Sequence, residues 1–72
     1  MVPLQWVKVD SSNIRELRWE DGKLYVRYHH GGVYAIPEVT PQEAEAALHA
    51  SSPGSFVHGL TKIKPKAERV IE

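Results

Sequence analysis

The chain has no cysteine, a single methionine, no long apolar run and no net charge. Each absence narrows what it can be. Without cysteine there is neither a disulfide framework nor a thiolate zinc site, so packing, hairpins and an oligomeric partner are the sources of stability left to so small a domain. A reducing, cytoplasmic setting is the expectation. Without about 18 consecutive apolar residues there is no membrane-spanning helix, and "MVPLQWVKVD" lacks the basic region and apolar stretch of a secretory leader. A soluble protein with no membrane contact is expected. Zero formal charge also removes the generic argument for nucleic-acid binding, so any such case rests on local clustering. At 72 residues there is room for one core, because a chain this short buries only roughly 60% of the surface its unfolded form exposes.

What is present reads as hairpins first and a helix after. In "NIRELRWEDGKLYVRYHHGGVYAI" apolar and polar residues alternate on both sides of Asp21-Gly22, a strong signal for a two-residue hairpin turn. The two-residue side-chain period puts Leu24, Val26 and Tyr28 on one face, taken as the core face, and Tyr25, Arg27 and His29 on the other. Gly31-Gly32 reverses the chain again, and a further strand from Val33 to Ile36 stops at Pro37. Upstream, "LQWVKVD" is rich in β-branched and aromatic residues and is expected to add a strand, broken from Ile14 by Ser11, Ser12 and Asn13.

"VTPQEAEAALHASSPG" carries the signature of a helix. Thr40 is placed to cap it, Pro41 takes the first helical position, and Glu43 completes a capping box. Ala44, Ala47 and Leu48 give it a narrow apolar face, and Ser51-Ser52-Pro53-Gly54 is read as its end. In the segment that follows, Phe56, Val57 and Leu60 can close the core, "LTKIK" alternates as a short strand would, and "KAERVIE" reads as a helical turn or a frayed tail. The expected architecture is a small α+β domain: an antiparallel meander of three to four strands, one α-helix, then a short C-terminal strand or turn. Residues 1–66 form the domain and 67–72 a tail.

Several of these pieces occur together in a known family. "VDSSNI", the "LYVRY" strand, "GGVYAIPEV" and "SSPGSFVHGLTK" resemble the KTSC domain, a short bacterial module found alone and at the C-terminus of some lysyl-tRNA synthetases. The likeness extends over roughly Val7 to Lys62, with Ser11, Ser12, Tyr34, Gly54, Ser55 and Phe56 at its motif positions. The resemblance implies a small α+β fold with strands before a helix, no assigned enzymatic activity, and RNA binding as a suggested role. Two positions depart from the family pattern: Tyr34-Ala35-Ile36 stands for the usual Tyr-x-Tyr, and His58 stands where members often carry Asn.

Candidate chemistry is sparse. His29, His30, His49 and His58 invite a metal, yet adjacent strand residues point to opposite faces, and no cysteine or nearby carboxylate completes a tetrahedral set. No metal and no cofactor are expected, and His29-His30 reads as a solvated hairpin tip. There is no Gly-x-Ser-x-Gly elbow, phosphate loop or His-Glu-x-x-His helix, so catalysis is not expected. Ser11-Ser12-Asn13 reads as a turn closed by side-chain bonds to backbone, and "SSPGSF" as a loop whose N–H groups could hold an anion.

Basic residues give the clearest functional signal. Lys62, Lys64 and Lys66 alternate and would form a stripe on an extended chain, with Arg15, Arg18 and Arg27 near it and Tyr25 beside Arg27. Such a face suits RNA or another single-stranded nucleic acid, by phosphate neutralisation and base stacking. Solvated surface and edge protection explain the same lysines without a ligand. A noncatalytic nucleic-acid-binding module is therefore expected, with docking onto a protein partner in a larger cytoplasmic assembly, bacterial or phage-related, as the alternative.

Overall fold

A computed structural model describes residues 5–70 of the chain. Its elements are β1 (Val7–Lys8), β2 (Ile14–Glu20), β3 (Lys23–Tyr28), β4 (Val33–Ile36), α1 (Pro41–His49), α2 (Pro53–Ile63) and β5 (Glu68–Val70). The strands form one antiparallel sheet in the order β1-β2-β3-β4-β5. This is the expected α+β arrangement of strands before helix.

Local chemistry accounts for the turns. Asp21 and Gly22 both have positive φ, 51° and 77°, the pairing a tight turn needs to match the right-handed twist of the strands it joins. Leu17 then faces Val26, and Trp19 faces Leu24, so the apolar sides of β2 and β3 coincide. Ile14, Leu17, Leu24, Val26 and Ile36 line the inner face of the sheet, and Val39, Ala44, Ala47, Val57 and Leu60 pack onto it in one cluster. The helices thus cover the inner face.

At α1 the capping box is complete. Thr40 Oγ1 accepts from the backbone N–H of Glu43, and the Glu43 carboxylate accepts from the backbone N–H of Thr40. A second anchor joins sheet to helix, since Trp19 Nε1 donates to the Val39 carbonyl at 2.8 Å.

Beyond Ala50 the structure departs from the sequence reading. Ser52-Pro53-Gly54 opens a second helix rather than only ending the first: Ser52 is its N-cap and Pro53 its first residue. "LTKIK" is the end of that helix, not a strand, because the buried side chains Pro53, Val57 and Leu60 recur at helical spacing and dock on the core. The stretch read as a helical turn or frayed tail contains β5, whose Val70, Arg69 and Glu68 pair with Val33, Tyr34 and Ala35. Residues 71–72 of that stretch, and Leu4 of "LQWVKVD", lie outside the described residues.

Candidate nucleic-acid interface

The sheet register defines an outer face, opposite the one on which the core residues of the helices pack. One cross-strand row runs Lys8, Glu16, Arg27, Val33, Val70, and the next runs Arg18, Tyr25, Ala35, Glu68. Trp6, two residues before Lys8, lies over this face. The Arg27 guanidinium stands 4.2 Å from the Trp6 ring centroid, and the Arg18 guanidinium lies 4.4 Å from the Tyr25 ring and 5.6 Å from Trp6. These distances are within cation–π range. These contacts gather the two rings and the two guanidinium groups into one cluster on this face.

The two stacked arginines also carry carboxylate partners. Arg27 Nη1 donates to Glu16 Oε1 at 2.7 Å, and Arg18 Nη1 pairs with Glu20. Bidirectional holding of this kind fixes the guanidinium planes and lowers their net charge. On the adjacent strand Val33 and Ala35, though on the outer side, are buried, so this face carries apolar side chains beside the charged ones.

A stripe of lysines beside these arginines, expected from the sequence, is not formed. Lys62 sits in the last turn of α2, Lys64 is the C-cap of that helix, and Lys66 lies in the link to β5. Residues two apart around a helix do not share a side, which removes the extended-chain argument. Lys64 is moreover tied to the helical layer, its Nζ donating to Glu43 Oε1 at 2.8 Å. That ammonium, together with the Thr40 N–H, holds the Glu43 carboxyl below its ordinary range.

Arg15 occupies a position that sequence reasoning had no means of finding. The register steps from Ile14 opposite Tyr28 to Glu16 opposite Arg27, leaving Arg15 as the extra residue of a β-bulge. The bulge turns Arg15 and Glu16 toward one open pocket of about 570 Å³, which Lys8, Val9, Arg27 and His29 also line. Lys8 and His29 had no place in the expected interface. Chain pairing is what brings them in.

Four motif positions far apart in sequence converge on a second cleft of about 480 Å³, where Ser11 and Ser12 meet Gly54 and Ser55. Asp10, Asn13 and His58 complete its polar wall. Ser11 Oγ accepts from the backbone N–H groups of Asn13 and Ile14, so this serine closes the turn before β2, and Ser52 Oγ donates to Ser55 Oγ. The other two motif positions lie elsewhere: Phe56 packs against the core, and Tyr34 sits edge-on to Tyr28 with ring centroids 5.8 Å apart. Burial, and then Tyr34, push the Tyr28 hydroxyl pKa up.

At the hairpin tip the two histidines part company. His30 stacks on Tyr28 at 5.2 Å, whereas His29 Nε2 donates to the Ser11 carbonyl at 2.9 Å. Among the described residues no three His, Asp or Glu side chains are grouped to hold a metal ion, and no helix is long and apolar enough to cross a membrane.

The family model of the KTSC domain matches residues 10–66. No curated protein matches the chain.

Proposed function

The chain belongs to the KTSC domain family, and we propose that it is a noncatalytic binding module that takes single-stranded RNA across the open face of its sheet. Support comes from the cluster of Trp6, Arg27, Arg18 and Tyr25 on the sheet face opposite the one that packs against the core residues of the helices. A ring packed against a guanidinium group on one face keeps its other face for an unpaired base, and every base offers a π face, so recognition is tolerant of sequence. The arginines serve mainly to position the rings, because Glu16 and Glu20 already offset part of their charge. Binding in the micromolar range with a moderate salt slope is the expected behaviour. Fluorescence anisotropy with labelled single-stranded RNA, duplex DNA and tRNA at two salt concentrations tests it. Preference for the single strand supports the reading; equal or absent binding of all three removes it.

A second reading is docking on a protein within a larger cytoplasmic assembly. Ile63, at the end of α2, leaves 73% of its surface in solvent, and Val7 on β1 leaves 38%. A partner retained after nuclease treatment and lost on Ile63→Glu would favour this reading over RNA.

A further inference from the structure

We infer that the pocket at the β1–β2 bulge is a phosphate-binding subsite, lined by Lys8, Arg15, Arg27 and His29, serving a nucleotide whose base stacks on Trp6. As to the nucleotide, this rests on the sheet-face reading above; the affinity for phosphate stands on the pocket alone.

Four elements converge to make it. Lys8 comes from β1, Arg15 from the bulge in β2, Arg27 from β3, and His29 from the turn after β3. Edge protection explains a lysine on an outer strand, but not an arginine aimed by a bulge or one from an interior strand. Lys8 and Arg15 share the pocket with one carboxylate, Glu16, which is engaged by Arg27 at 2.7 Å. Among the described residues no carboxylate pairs with Lys8 or Arg15. Their charge is therefore available to a ligand.

The pocket is also built on a firm base. Val9 lines it while packing against the hydrophobic core, and its backbone N–H donates to the Arg15 carbonyl at 3.2 Å, fixing the bulge to β1. His29 is held through both its backbone N–H, given to the Asn13 carbonyl, and its Nε2, given to Ser11. The 4.2 Å contact between Arg27 and Trp6 links this cationic pocket to the ring above the sheet. A phosphate held by Lys8 and Arg15 and a base against Trp6 would thus both be neighbours of Arg27.

The phosphate can belong to an RNA chain or to a free nucleotide, and two ligands separate these sources: a labelled single-stranded oligoribonucleotide, and adenosine monophosphate with inorganic phosphate as its control. Lys8→Ala and Arg15→Ala, both at exposed positions, should each weaken oligonucleotide binding about fivefold and lower the salt slope by about 0.7. Amide NMR signals of Arg15 and His29 should shift on titration with either phosphate ligand. If both variants bind the oligonucleotide as the parent does, the pocket assignment is overturned while the sheet-face reading stands. If the oligonucleotide does not bind but the phosphate ligands still shift those amides, the pocket stands and the RNA reading fails. No response to any of the three ligands overturns both.

Discussion

A Cβ placed on Gly54 would lie 3.4 Å from Ser11 Oγ, the oxygen that accepts two backbone hydrogen bonds in the turn before β2. Two motifs separated by more than half the chain therefore meet at a contact with room for about one carbon. Gly54→Ala should be tolerated, because the new methyl reaches only van der Waals distance and an alanine in the helix gains up to about 1 kcal/mol over glycine. Gly54→Val places two further carbons against the Oγ and should cost about 1–3 kcal/mol. Urea unfolding of both variants checks this; a valine variant as stable as the parent would show that the close approach has no structural weight.

Glu43 joins three parts of the helical layer, accepting from the Thr40 N–H and from Lys64 Nζ through the same Oε1. Its carboxyl is held below the ordinary 4.5, first by the Lys64 hydrogen bond and then by Thr40. A depressed folded-state value means that the unfolded chain takes up the proton first as pH falls. The stabilisation is fully present above about pH 4.5 and declines as pH drops through the folded value. Thermal unfolding from about pH 7 to about pH 2 should show this loss in the parent and a flatter profile in Glu43→Gln. Parallel profiles would mean that other carboxylates govern the acid limb.

Trp19 contributes a hydrogen bond as well as packing. Its indole N–H is directed at the carbonyl of Val39, a residue 2% exposed at the entry to α1. Trp19→Phe keeps most of the ring but removes the donor, and leaving that carbonyl without its partner should cost about 1–3 kcal/mol. Circular dichroism during urea unfolding reads the loss. A midpoint equal to the parent's would place water in the role of the indole.

The hairpins and α1 were legible because their signals are local. Asp21-Gly22 reports its own turn, and Thr40-Pro41 with Glu43 reports its own cap. Helix α2 was not, because Ser52-Pro53-Gly54 reads equally as a stop and as a start, and Gly54 and Gly59 weaken its intrinsic propensity. What makes it helical is the burial of Val57 and Leu60 against the sheet, a tertiary event. The interface followed the same division. Arg18, Tyr25 and Arg27 share a face by simple alternation, whereas the grouping of Lys8, Arg15 and His29 depends on one extra residue in the pairing of β2 with β3. The lysine stripe was misplaced because it assumed a strand where packing makes a helix.

The aromatic cluster separates stacking from charge in a way that substitution can measure. Trp6 is not part of the core cluster and Tyr25 lies on the outer face, so removing either ring should leave the unfolding midpoint nearly unchanged. Trp6→Ala and Tyr25→Ala should each weaken single-stranded RNA binding by about 1–3 kcal/mol, the range for one stacked base. Because a ring carries no charge, the dependence of affinity on salt should keep the parent's slope in both variants. Arg18→Gln should behave differently, lowering the slope by less than the roughly 0.7 of a full phosphate contact, because Glu20 offsets part of its charge, while also loosening the Tyr25 ring it covers at 4.4 Å. Anisotropy titrations at several salt concentrations distinguish the two effects. Ring variants that bind like the parent would leave the arginines as the only contact and remove the stacking basis of the proposal.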